Sequence, residues 1–292
     1  MLKGIFPPIT TPFVNNEISF ENLEKNISKL NTTGISGYVV MGSNGESAFL
    51  TMQEKLDLVE GVKKYSSNDK LVIAGTGSDS IKETITLTNE VAERGADFAL
   101  ILTPSFFKEK MSNNSQIEYF STVADNISIP LIIYNVPKFT GVNIEEPAVT
   151  KLSGHKNIIG IKSSSENIAH LSEVIYNSTN DFITLAGTAS VLFPGLCVGA
   201  KGGVLALANI APDECVKIYT LFNEGKFEES LAFHNKMIPV NKAVTSKYGI
   251  PGLKKAMDML GYFGGDPRSP LIKLNDSETD ELKKILLKAE LL

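Results

Sequence analysis

Eight short apolar runs recur along the chain: "GIFPPIT", "GYVVMG", "LVIAG", "FALILTP", "LIIYN", "IIGIK", "FITLAG" and "GGVLAL". Nearly all are apolar at odd and even positions alike, the pattern of parallel strands buried on both faces. The segments between them repeat every three to four residues, as in Leu23, Ile27 and Leu30, then Leu56, Val59 and Val62, which predicts helices with one buried face. Two of these helices open at capping-box spacing, Thr51 with Glu54 and Ser80 with Glu83, and a third opens at Pro147 behind two glutamates. Strand and helix alternating eight times predict an α/β fold of the closed (β/α)8 TIM-barrel kind over residues 1–225, rather than an open doubly wound sheet.

Beyond the last run the pattern is helical only. Periodic segments at 228 to about 245, 252 to about 260 and 278 to the end predict a C-terminal helical extension over residues 226–292. The stretches "KYGIPG" and "GYFGGDPRSP" read as the turns between its helices.

Composition narrows the partners. The formal net charge of −5 is spread along the chain without a block of either sign, which argues against nucleic acid and against an anionic membrane surface. No apolar run approaches the ~20 residues needed to span a bilayer, and the proline-broken start "MLKGIFPPIT" lacks the apolar core of a secretion signal. Cys197 and Cys215 stand far apart in apolar surroundings and read as reduced packing residues, which suits the cytoplasm.

Barrels of this kind carry their chemistry at the carboxyl ends of the strands, so a polar residue that closes an apolar run is a candidate. The sixth run closes on Lys162. Burial disfavours an ammonium and so favours a free amine, the form that attacks a carbonyl to give a Schiff base. The fifth run closes on Tyr134, and because neighbouring strands lie ~5 Å apart, its phenol and the Lys162 amine are expected to share one substrate. After the second run, "GSNGES" sets Ser43 and Asn44 between glycines, where a hydroxyl and backbone N–H groups converge on an anion such as a carboxylate. Gly187 in "LAGTAS" leaves room for a ligand against the backbone, and Leu205 with Ala206 closes the eighth run as an apolar wall. His155, His170 and His234 are scattered, which predicts no metal site, and "GTGSDS" lacks the third glycine of a dinucleotide fingerprint.

The "GSNGES" turn, the "YNVP" strand end and the "GIKSSS" strand end, in that order, resemble the family of dihydrodipicolinate synthase and N-acetylneuraminate lyase over the whole chain. The resemblance implies that Lys162 forms a Schiff base with pyruvate or another 2-oxo acid and that Tyr134 relays protons. It further implies that Ser43 and Asn44 bind the carboxylate, that Gly187 and Leu205 line the pyruvate end, and that no cofactor is used. A homotetramer or homodimer is implied as well.

Three positions depart from the family pattern. Phe139 stands where the synthase carries an arginine for the carboxylate of aspartate semialdehyde, with Lys138 next door; a lost charge-assisted contact costs about 1.5–3 kcal/mol. Thr188 and Ala189 stand where the sialic acid lyase carries acidic residues. "TPSFFKEK" places Ser105, Phe106 and Phe107 where a tyrosine is expected to reach a neighbouring subunit's site. The stretches "GSNGE", "LAGTAS", "ALAN" and above all "GIPGLKKAMDMLGYFGG" most resemble the 4-hydroxy-2-oxoglutarate aldolase branch, in which the position of Ser164 contacts substrate. The expectation is therefore a class I aldolase, a carbon–carbon lyase that cleaves a 4-hydroxy-2-oxo acid or a 2-keto-3-deoxy sugar acid to pyruvate and an aldehyde. The alternatives are a dihydrodipicolinate synthase, an N-acetylneuraminate lyase, and a weakly active 2-oxo acid binding protein.

Overall fold

The computed structural model describes residues 2–292, and its strands fall on the eight apolar runs. They are β1 (Gly4–Phe6), β2 (Gly37–Val40), β3 (Leu71–Gly75), β4 (Phe98–Leu102), β5 (Leu131–Asn135), β6 (Ile158–Ser163), β7 (Ile183–Ala186) and β8 (Gly202–Val204). Every neighbouring pair is parallel. The sheet closes between its first and second strands, where Val39 N–H donates to Pro7 O and Ile9 N–H to Val39 O, both at 3.0 Å. The result is the expected TIM barrel, with one small antiparallel hairpin, Phe13–Val14 against Glu17–Ile18, inserted after β1.

Alternation along each strand sorts side chains between the barrel lumen and the helices. Phe6, Val39, Ile73, Leu100, Ile132, Leu185 and Val204, one from each of seven strands, form the lumen core together with Tyr134. Leu131 and Ile133 on β5 face the opposite way and pack under helices. β6 keeps step only by means of a bulge: Leu131 pairs with Ile158, but Ile132 pairs with Gly160. The extra residue, Ile159, resets the period of two, so that Lys162 comes opposite Tyr134. Gly160 is required there, because a Cβ would lie 2.3 Å from Ile183 O on β7.

Helix starts follow the capping chemistry. Thr51 and Glu54 form the full reciprocal box, whereas at Ser80 only half of one forms, since the Glu83 carboxylate turns to the Ser78 hydroxyl at 2.8 Å. The helix Glu146–Ser153 has Pro147 in its first turn.

The extension differs in detail from its expected form. The first helix, Phe227–Lys242, passes into a wider π-helical turn, Ala243–Lys247, and the next helix already starts at Gly249. "KYGIPG" is thus mostly helical: Pro251 sits in a first turn, where a missing N–H costs nothing. The last helix, Asp276–Lys288, is capped by Asn275 in a box with Glu278. Met237, Val240, Leu253, Met257, Leu282 and Leu286 of the extension share one core with the outer face of the barrel. Cys215 is buried as expected, but Cys197 is exposed at the end of a short helix and is not a packing residue. No helix among the described residues is long and apolar enough to cross a membrane.

Candidate active site

The carboxyl ends of the strands open into a cavity of about 470 Å³, lined by Ser43, Asn44, Tyr134, Lys162, Ser164 and Gly187 among others. Six of the residues singled out from the sequence are therefore brought together. Tyr134 and Lys162 are direct register partners, and the Lys162 Nζ lies 3.9 Å from the centre of the Tyr134 ring. Both are almost wholly buried, at 5% and 3% exposure. The Tyr134 hydroxyl is 3.5 Å from Ser43 Oγ, which links the fifth strand end to the second.

The phenol is held between opposing effects. Burial alone would push it up, but the Lys162 ammonium and hydrogen bonds with Ser43, Ser164 and Lys162 together outweigh burial and bring it below the ordinary 10.0. Such a phenol gives up its proton more readily than a free tyrosine.

Neighbouring strand ends fix the rest. Ser164 N–H donates to Asn135 O at 2.8 Å, and its hydroxyl donates to Gly187 O at 3.3 Å. Gly187 N–H donates to Ser163 O at 2.7 Å, and a Cβ at Gly187 would meet Ser164 Oγ at 2.2 Å. The glycine thus leaves space for Ser164 as well as for a ligand.

One expectation needs correction. Of the expected Leu205–Ala206 wall only Ala206 lines the cavity; Leu205 is fully buried in the outer core. Phe106, 79% exposed and edge-on against Phe107 at 5.0 Å, stands on the surface of its own chain, which leaves it free to meet a neighbouring copy. The rim carries charge of both signs, since Lys138 and Glu166 line it beside Phe139.

The sequence reading also missed contributors. Val244, Thr245, Ser246, Gly249 and Ile250, from the π-helical turn and the helix after it, wall the cavity, although that segment reads as a remote extension. The Thr245 carbonyl accepts from Lys138 Nζ at 3.4 Å. Glu46, at the end of the "GSNGE" turn, is ion-paired to Lys254 at 2.6 Å with both side chains shut off from solvent. Burial pushes the Lys254 ammonium down, and the neighbouring Glu46 carboxylate offsets only part of that. Among the described residues, no group of three or more His, Cys, Asp or Glu side chains is arranged to hold a metal ion.

A closed parallel barrel with a lysine and a tyrosine paired at adjacent strand ends over an anion-sized turn defines the Schiff-base class of enzyme sites. The Dihydrodipicolinate synthetase family profile matches residues 1–289, and the chain belongs to that family, an enzyme of the carbon–carbon lyase kind. The 4-hydroxy-tetrahydrodipicolinate synthase of Archaeoglobus fulgidus is 34% identical over all of both chains. That of Methanothrix thermoacetophila is 36% identical over 99% of this chain and 97% of its own. Among solved structures, the dihydrodipicolinate synthase of Aquifex aeolicus superimposes with a TM-score of 0.94 at 32% identity, covering 99% of each chain.

These relatives overturn the aldolase expectation, since proteins 34–36% identical over the full length carry the synthase name. The physical reason lies at the rim. Phe139 removes the expected arginine, but Lys138 one residue away lines the same cavity and leaves a cation there for a second carboxylate.

Proposed function

We propose that the protein is a 4-hydroxy-tetrahydrodipicolinate synthase, condensing pyruvate with aspartate semialdehyde through a Schiff base on Lys162, with no resident cofactor. The observation that carries this reading is the pairing of Tyr134 and Lys162 across β5 and β6 at the cavity floor, with Ser43 at the phenol hydroxyl.

The Lys162 amine adds to C2 of pyruvate, and the carbonyl oxygen leaves as water, its second proton supplied through Tyr134. Ser43 and Asn44 hold the carboxylate. The protonated imine withdraws electrons from C3, which returns a proton to the Tyr134 phenolate and becomes a nucleophilic enamine carbon. That carbon adds to the aldehyde of the second substrate, whose oxygen takes a proton from Tyr134 and becomes the product hydroxyl. The amine of the semialdehyde then displaces Lys162 from C2, closing the ring and regenerating the free lysine. Lys138, partnered among the described residues by a backbone carbonyl and the Phe139 ring at 5.7 Å, is the cation available at the rim for the second carboxylate.

Two coarser parts of the reading go with it. The exposed Phe106 and Phe107 rings support a homotetramer or homodimer, and the two free cysteines support a cytoplasmic setting. The test is turnover of purified protein with pyruvate plus aspartate semialdehyde, run beside cleavage of 4-hydroxy-2-oxoglutarate. Condensation is expected to be the faster by at least ten-fold; cleavage without condensation would contradict the reading.

A further inference from the structure

Glu46 and Lys254 form the one ion pair among the described residues with both side chains fully excluded from solvent. Burying two charges is expensive, and such pairs are often replaceable by apolar residues without loss of stability. Stability alone is therefore a weak reason for this one, and its position suggests another.

Glu46 ends the turn that carries Ser43 and Asn44, and the backbone of that turn is strained at both ends. Met41 and Glu46, neither of them glycine, both stand at a φ of 56°. Left-handed backbone of this kind persists only where the surroundings over-determine it. The surroundings here are the C-terminal extension and the hairpin after β1. Glu46 Oε1 makes the ionic contact with Lys254 Nζ without hydrogen-bond alignment, while Oε2 accepts from Arg268 N–H at 2.8 Å. Lys254 Nζ also donates to Asp266 O at 3.1 Å. The Arg268 guanidinium donates to Phe49 O at 2.8 Å and Asn16 O at 2.6 Å, and to both oxygens of Glu54. The Phe13 ring lies under both cations, 4.6 Å from Lys254 Nζ and 4.2 Å from the Arg268 guanidinium carbon. On the other side, the Thr11 hydroxyl donates to Gly45 O at 2.6 Å.

We infer that Glu46 and Lys254 are positioning residues: the ion pair, braced by Arg268 and Thr11, holds the Ser43–Asn44 turn in the shape that receives a 2-oxo acid carboxylate, so that the C-terminal extension sets affinity for that substrate. The inference rests on the Schiff-base reading of the same site. Removing the clamp lets the strained turn relax away from the cavity, while Lys162 and Tyr134, held by the barrel, keep their register and Tyr134 loses only its 3.5 Å contact with Ser43. Half-saturation by pyruvate is then expected to rise far more than the rate at saturation falls.

The test is titration of full-length protein with pyruvate, trapping the imine with borohydride and reading the adduct by intact mass, alongside Tm and steady-state rates. Lys254→Met is expected to lose heat stability and pyruvate affinity together, because it strands a buried carboxylate. The double variant Glu46→Gln/Lys254→Met has no stranded charge and is expected to recover most of the Tm, yet to need at least ten-fold more pyruvate than the wild type. Thr11→Val, which introduces no charge, is expected to need several-fold more, with kcat at saturating pyruvate within about three-fold of wild type. Wild-type half-saturation in both the double variant and Thr11→Val would overturn the inference and leave the pair a structural one. Absence of any adduct in the wild type would remove the Schiff-base reading and this inference with it.

Discussion

Tyr134 is the residue whose environment makes the sharpest kinetic claim. Desolvation opposes ionisation of its phenol, but the Lys162 ammonium and the hydrogen bonds at the hydroxyl oxygen more than compensate, so the proton leaves below pH 10.0. A step that needs the protonated phenol therefore fails early on the alkaline side. The profile of kcat/KM against pH is expected to show an alkaline limb below pH 10, and Tyr134→Phe is expected to abolish that limb and lower kcat by about 10²–10⁴. A limb unchanged in the phenylalanine variant would assign the proton transfer elsewhere. At this scale much was legible, because a lysine, a tyrosine and a serine-asparagine turn closing apolar runs are conspicuous by their chemistry. Leu205 was misplaced because a one-residue step at a strand end moves a side chain from lumen to outer core. Glu46 and Lys254 left no local trace: each reads as an ordinary surface charge until the fold brings them together.

Elements were legible where the pattern is repetitive and illegible where it breaks. All eight strands fall on the apolar runs, since burial on both faces leaves no ambiguity over which segments are inside. The bulge in β6 was not foreseen, although Gly160 within the run was a hint, as a glycine inside a strand often marks a bulge or a close backbone approach. The π-helical turn was invisible for a different reason, since its sequence, "AVTSK", has ordinary helix propensities and widens only in tertiary context. The segment around Arg268 carries a pH prediction. Its guanidinium forks onto Glu54 and holds that carboxylate down at about 2, against an ordinary 4.5. A depressed carboxylate contributes stability that is fully present above its unfolded value and is lost as pH falls through its folded one. Thermal stability is therefore expected to decline between about pH 4.5 and 2, and the decline is expected to be shallower in Arg268→Gln. Equal acid sensitivity in the two proteins would show that the pair does not report on folding.

For the whole molecule, the central point is that barrel and extension form one machine. The barrel supplies Lys162 and Tyr134, while the extension roofs the cavity and clamps the turn behind Ser43. Sequence patterning separated the two because their helices differ in rhythm from the strand-helix repeat; the shared core shows that they pack as one body. Surface chemistry makes a second claim at this scale. Phe106 and Phe107, at 79% and 70% exposure, form an apolar patch that a neighbouring copy would cover. Phe106→Asp with Phe107→Asp is expected to lower the mass measured by light scattering relative to the wild type, and an unchanged mass would place the subunit contact elsewhere. The claim on which everything else depends is that Lys162 is the nucleophile. Incubation with pyruvate and borohydride followed by peptide mapping tests it most directly. The prediction is one pyruvyl adduct, on the peptide that carries Lys162 and absent from Lys162→Arg; no adduct, or an adduct on another lysine, would contradict it.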